Sequence, residues 1–202
     1  MKLYYTPGAC SLADHIALEW IGKPFVAQRV SKQARYEADY LAINPAGAVP
    51  ALEHDGWILT QNAAILHYLA DLYPEAKLGG DGTPKSRAEV GRWLAFVNSD
   101  VHPAFKPFFG AADFLGEPAL IQKAKDEAAK RLRTLLERAD QQLAGRDYIA
   151  GERSIADPYL FVMLRWAHGV KIDLTGLDNL KAYYRRMRGD AGVARALEAE
   201  EA

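Results

Sequence analysis

The sequence predicts an α/β unit built on a mixed four-stranded sheet, followed by an all-helical unit. Three observations carry this expectation. Up to about residue 75, short β-prone runs alternate with helical patterns and are separated by turn residues. A glycine-rich stretch at 75–86 then interrupts both patterns. From Thr83 onward, apolar residues recur every three or four positions almost to the end. The expected division is a first domain at 1–77, a linker at 78–85 and a helical domain at 86–202.

Lys2-Leu3-Tyr4-Tyr5-Thr6 reads as the first strand, and Pro7-Gly8 forces a turn after it. A helix follows, with Leu12, Ile16 and Trp20 on one row and Ala13, Ala17 and Ile21 on the next, stopped by Gly22. Ser11 and Asp14 have the spacing of a capping box, which starts the helix at Ser11. The only cysteine, Cys10, therefore falls where a strand turns into a helix. Unpaired N–H groups and the positive end of the helix dipole favour an anion there, a thiolate included. A lone cysteine is commonly a small buried hydrophobe. Position argues for a reactive one, with the hydroxyls of Tyr5 and Ser11 a few residues away.

A second strand at 25–30 completes a βαβ unit with parallel strands. A short helix is expected at 38–43 and a turn at Asn44-Pro45-Ala46-Gly47. Ala48-Val49-Pro50-Ala51-Leu52-Glu53 is a third strand, with Val49 and Pro50 at its start or edge because proline donates nothing to a ladder; a cis bond is conceivable there. Asp55-Gly56 marks a hairpin into a strand at 57–59, and Thr60 is the expected cap of a helix bearing Ile65, Leu66, Leu69 and Leu72. The order β-α-β-α-β-β-α is that of a thioredoxin-like domain. In it Val49 would offer unpaired backbone to an extended peptide, and the helix start at Gln61-Asn62 would favour a carboxylate. The plainer readings are a strand residue and capping residues.

In the helical part, Thr83 and Pro84 open a helix carrying Val90, Leu94, Val97, Val101 and Phe105, which Pro103 should bend or break. A long helix at 118–143 has Leu120, Ala124, Ala128, Leu132, Leu135 and Ala139 inward and the pairs Asp126–Lys130 and Glu127–Arg131 outward. Ser154-Ile155-Ala156-Asp157 forms a second capping box before an apolar helix at 159–167, which should be the buried centre of this domain. Asp157 is thereby a structural carboxylate. Shorter helices are expected at 177–188 and 193–198.

A net charge of −1 gives no electrostatic case for nucleic acid or an anionic membrane. One cysteine excludes an intrachain disulfide and a cysteine-rich zinc site, and no metal is expected. No apolar leader precedes the first strand, and the most hydrophobic stretch, 159–170, is too short to span a bilayer, so a cytoplasmic protein is expected.

Four segments carry a resemblance: Lys2-Leu-Tyr-Tyr-Thr-Pro-Gly-Ala-Cys-Ser-Leu-Ala, Asn44-Pro-Ala-Gly-Ala-Val-Pro-Ala-Leu, Leu59-Thr-Gln-Asn-Ala-Ala-Ile-Leu and Ser154-Ile-Ala-Asp-Pro-Tyr-Leu-Phe. With them the chain, over essentially its whole length, closely resembles bacterial glutathione transferases of the beta class. The resemblance implies a thioredoxin-like domain plus a helical domain, a homodimer, and an enzyme that conjugates glutathione thiolate to small hydrophobic electrophiles in detoxification. It implies Cys10 beside the glutathione sulfur, with Tyr5, Ser11 and His102 as further catalytic positions. Glutathione would also be held by Val49 and Pro50 at its cysteinyl part, by Gln61 and Asn62 at its γ-glutamyl end, by Lys32 at its glycyl carboxylate, and by Ser99.

There are departures from the family pattern. Many relatives have Glu-Ser or Glu-Gly where this chain has Gln61-Asn62, and relatives often carry lysine where it has Pro103. Some have asparagine where Ala95 stands, a polar contact across the dimer. Phe105, Phe108, Phe109 and Trp166 are candidates for the electrophile pocket, Trp166 reading better as core. Two other functions remain open: glutathione-dependent thiol–disulfide exchange through a Cys10 mixed disulfide, and a non-catalytic binding protein on the same scaffold.

Overall fold

A computed structural model of the chain describes residues 1–201. The expected alternation is present. Strand β1 (Lys2–Tyr5) leads to helix α1 (Leu12–Ile21) and strand β2 (Val26–Arg29), and a single helical turn, α2 (Ala38–Leu41), follows. Strands β3 (Ala51–His54) and β4 (Trp57–Thr60) form the hairpin, and α3 (Asn62–Leu72) closes the unit. The sheet order is β2-β1-β3-β4, with β1 and β2 parallel and the other pairs antiparallel, so the sheet is mixed. At the hairpin both Asp55 and Gly56 have positive φ (50° and 75°), the conformation that lets a two-residue turn follow strand twist.

The helical part comprises α4 (Pro84–Ala95), a π-helical segment (Phe96–Val101), α5 (His102–Ala104), α6 (Pro118–Gln142), α7 (Ala156–Gly169), α8 (Asp178–Gly189) and α9 (Ala191–Glu201). Thr83 caps α4 by accepting from the Ser86 N–H at 3.2 Å. Helix α7 lies at the centre, with all of its first nine residues buried. α1 packs on both α7 and α9. The apolar faces of the two units therefore form one continuous core, from Leu3, Leu12 and Ile16 to Phe161, Met163 and Val193. Each such side chain contributes about 1.5–3 kcal/mol on burial.

Several local expectations are corrected. The capping box at Ser11 and Asp14 does not form: Ser11 Oγ turns back to the strand, accepting from the Thr6 N–H at 3.3 Å. Asp14 is fully buried, and neither of its oxygens has a hydrogen-bond partner among the described residues. Burial holds its carboxyl well above the usual range. Thr60 ends β4 and does not cap α3; Gln61 stands there at φ 75°. Val49 lies beyond the last paired residue of β3, whose Ala51 faces Tyr4, so it sits at the open end of a central strand and not on a sheet edge. On α6, Leu136 is fully buried while Leu120 is 44% exposed, and Glu127 pairs with Lys130 at 2.8 Å.

The predicted break at Pro103 takes a specific form. Proline has no N–H for the carbonyl four residues back. The preceding turns widen, and the His102 N–H bonds the Val97 carbonyl five residues back. π segments of this kind are frequent at functional sites.

Of the second capping box the return half forms: Asp157 reaches back to Ser154, while Ser154 Oγ accepts from the Ala156 N–H at 3.3 Å in place of the Asp157 N–H. Asp157 Oδ2 accepts from the Ser154 N–H at 2.8 Å and Oγ at 3.0 Å, and Oδ1 accepts from the Ile149 N–H at 3.0 Å. Tyr183 donates to the Asp157 carbonyl at 2.8 Å, tying α8 to the same point. Asp157→Ala leaves two buried N–H groups unpaired and should cost about 2–4 kcal/mol in urea unfolding. The ligand affinity of the remaining folded protein should be unchanged; a variant of wild-type stability would remove this carboxylate from the folding core.

Candidate active site

A cavity of about 290 Å³ opens where the start of α1, the segment before β3, the start of α3 and the π segment converge. Cys10 lies on its floor. The turn before it is set by Gly8 at φ 73°, a conformation that favours glycine. Gly8 is held from the helical part on both sides: its N–H donates to Glu200 Oε2 at 3.1 Å, and its carbonyl accepts from Trp166 Nε1 at 2.8 Å.

The thioredoxin-like wall is built on Val49, Pro50, Gln61 and Asn62, all lining the cavity. The Val49–Pro50 peptide bond is cis. Cys10 Sγ donates to the Val49 carbonyl at 3.6 Å, and Asn62 Nδ2 donates to the Cys10 carbonyl at 2.8 Å, so three separate segments are pinned together. Asn62 Oδ1 is buried without a partner among the described residues.

The helical wall carries Asn98, His102, Pro103, Lys106 and Tyr159. His102 Nδ1 lies 2.5 Å from the Tyr159 hydroxyl, and its ring meets Trp166 edge-on at 4.9 Å. Burial, with a smaller contribution from Lys106, pushes the His102 pKa down to about 4, so the ring is neutral at pH 7. Of the side chains lining the cavity, Lys106 alone is then charged at neutral pH.

The expected site residues divide into two groups. Cys10, Val49, Pro50, Gln61, Asn62 and His102 come together at the cavity. Tyr5, Ser11, Lys32 and Ser99 do not line it. The Tyr5 hydroxyl donates to the Ala199 carbonyl of α9 at 3.3 Å, and Ser11 is fully buried against Thr6. Lys32 and Ser99 are exposed elsewhere. Phe105 is fully buried core, Phe109 is 55% exposed, and Trp166, read as core, is partly exposed and donates to Gly8. The structure adds Lys106, Asn98 and Tyr159 to the cavity wall and Glu200 to the loop before Cys10. The first two could have been found, since Asn98, His102 and Lys106 are spaced by four, which sets them on one helical face.

The expectation that the helix start lowers the Cys10 thiol is reversed. Burial pushes it up to about 11, and the Asn62 and backbone hydrogen bonds oppose this only in part. The Asp14 charge adds to the rise only when Asp14 is itself ionised, a form that burial disfavours.

Two family descriptions match the chain: "Glutathione S-transferase, N-terminal domain" over residues 9–72 and "Glutathione S-transferase, C-terminal domain" over residues 122–186. The chain is 56% identical to glutathione S-transferase GST-4.5 of Xanthomonas campestris pv. campestris, covering 99% of this chain and 98% of that one. It is similar to the solved glutathione S-transferase from Xylella fastidiosa, with a TM-score of 0.97 at 50% identity over 99% and 98% of the two chains. A sphingomonad glutathione S-transferase complexed with glutathione matches with a TM-score of 0.88 at 42% identity over 100% and 99%. A beta-class enzyme from Sphingomonas chungbukensis matches with a TM-score of 0.87 at 42% over 99% and 98%.

Because Cys10 is the only cysteine, its reactivity can be read without ambiguity. Alkylation by iodoacetamide, followed by mass spectrometry, should be slow at pH 7 and climb about tenfold per pH unit through pH 9, as thiolate is the reacting form. A rate that levels off near pH 7 would show a low-pKa thiol and overturn this assignment.

Proposed function

The chain belongs to the glutathione S-transferase family, and from that premise we propose that its cavity binds reduced glutathione and directs the thiolate at a small hydrophobic electrophile. The observation that carries this reading is the convergence of Cys10, the unladdered backbone of Val49 and the Asn62 side chain on one cavity. Under it, residues 1–77 form the glutathione-binding domain, joined through 78–85 to a helical domain at 86–202 that contributes the electrophile site.

The roles follow from the chemistry of each group. Val49 pairs its backbone with the cysteinyl part of glutathione, which brings the ligand sulfur next to Cys10. Gln61 and Asn62, at the start of α3, hold the γ-glutamyl end. Lys106, the one charged group on the wall, takes over the carboxylate role expected of Lys32 and adds positive potential at the thiolate. A protonated Cys10 donates its S–H to the ligand sulfur and so favours the thiolate there. The ligand thiol loses its proton to solvent. The thiolate then forms a bond to the electrophilic carbon as the leaving group departs with its electron pair.

A thiol near 11 is poorly suited to attack at neutral pH, so redox exchange through Cys10 is the weaker reading. We take the protein to act as a cytoplasmic homodimer, as the family resemblance implies. Among the described residues no helix is long and apolar enough to cross a membrane.

Calorimetry should show glutathione binding, weakened about 10-fold by Lys106→Met through loss of a charge-assisted hydrogen bond. With an aryl halide, Cys10→Ala should keep conjugation within about 10-fold of wild type, the value of one hydrogen-bond donor. Absence of glutathione binding would sink the reading, and abolition of conjugation in Cys10→Ala would make Cys10 a nucleophile. Light scattering at working concentration checks the dimer.

A further inference from the structure

We propose that Tyr159 is a positioning residue that holds His102 as its Nε2–H tautomer, so that the ring offers a hydrogen-bond donor to the sulfur bound beside Cys10. This rests on the reading of the cavity as the glutathione site and adds the location of a proton to it.

Tyr159 stands on the buried central helix α7, 1% exposed, with its ring edge-on to His102 at 5.8 Å and 82°. Its hydroxyl has one proton and two acceptors in reach: His102 Nδ1 at 2.5 Å and Asn98 Oδ1 at 3.3 Å. A 2.5 Å contact suits an O–H donor and is shorter than an N–H donor makes, so the hydroxyl gives its proton to Nδ1 rather than to Asn98 Oδ1 at 3.3 Å. Burial raises the Tyr159 phenol and lowers the His102 imidazole, so both are neutral at pH 7. A neutral imidazole has one N–H. If Nδ1 accepts from Tyr159, that N–H is at Nε2, which has no protein partner among the described residues while the ring lines the cavity. Trp166 packs edge-on against the same ring at 4.9 Å.

A histidine in this tautomer is a donor to a thiolate and cannot remove the thiol proton through Nε2. The geometry therefore makes His102 a stabiliser of the anion after ionisation, not the base that generates it. Asn98 shares the hydroxyl and is a second, weaker partner.

Long-range proton–nitrogen NMR on ¹⁵N-labelled protein without ligand should show His102 protonated at Nε2 and bare at Nδ1 across neutral pH. Tyr159→Phe should redistribute the proton toward Nδ1 and lower kcat/KM for conjugation about 10-fold, the loss of one donor to a charged group. Affinity for S-methylglutathione by calorimetry should hold within about 2-fold, since that ligand has no thiolate for the lost donor to act on. Should Tyr159→Phe fail to fold, two replacements of His102 decide. Gln carries an amide N–H near the Nε2 position and should retain clearly more activity than Asn, whose amide lies near Nδ1. Protonation at Nδ1 in the wild type, an unchanged tautomer in Tyr159→Phe, or equal activity of the Gln and Asn variants would overturn the proposal. Failure of the wild type to bind glutathione would instead overturn the site reading and leave the ligand-free ring assignment standing.

Discussion

Gly8 is where the two halves of this protein meet chemically. Its N–H is taken by the Glu200 carboxylate and its carbonyl by the Trp166 indole, and the next two residues are Ala9 and Cys10. Both partners belong to the helical part, on α9 and α7, while the loop belongs to the thioredoxin-like part. Glu200 also meets His15 Nδ1 at 3.3 Å, and the Tyr5 hydroxyl is satisfied by Ala199, so one turn of α9 caps the end of β1, the loop and α1 together. The sulfur site is thus shaped by residues nearly 200 positions away in sequence. Its geometry depends on the shared core that seats α1 against α7 and α9.

On this scaffold the cavity is polar but almost uncharged. Cys10 is a protonated thiol, His102 a neutral ring and Tyr159 a neutral phenol, which leaves Lys106 as the cation on the wall. An anion bound there meets donors and little competing negative charge, in surroundings of lower dielectric than water. Such a site stabilises a thiolate by several modest, preorganised contacts rather than by one strong base.

Much of the fold was legible because it rests on local signals. The Asp55-Gly56 hairpin, the Thr83-Pro84 helix start, the long helix ending before Gly145 and the return half of the Ser154–Asp157 box each depend on neighbours in sequence, and each appears where its pattern placed it. The Ser11–Asp14 box has an equivalent spacing and fails, because Thr6 competes for Ser11 Oγ and packing takes Asp14 into the interior. Spacing alone cannot distinguish a carboxylate that caps from one that is swallowed. The site divides along the same line. Cys10, Val49 and Asn62 were readable from turns and helix starts, and Lys106 from its spacing to His102, whereas Tyr5 was lost to α9, a tertiary outcome. The rise of the Cys10 thiol is likewise set by burial that no local motif reports.

Asp14 has a consequence of its own. A carboxylic acid sealed in the first turn of α1, close enough to Glu200 to feel its charge and to Cys10 to raise the thiol when ionised, is held by burial toward its protonated form. Its folded proton affinity exceeds that of the unfolded chain, so its contribution to stability is whole in acid and is lost as the medium becomes more basic. Losing that proton would also set a negative charge beneath the floor on which a thiolate has to form. The fold thereby carries a counterweight of its own making: the same rise in pH that helps any free thiol ionise works against the architecture that would use it.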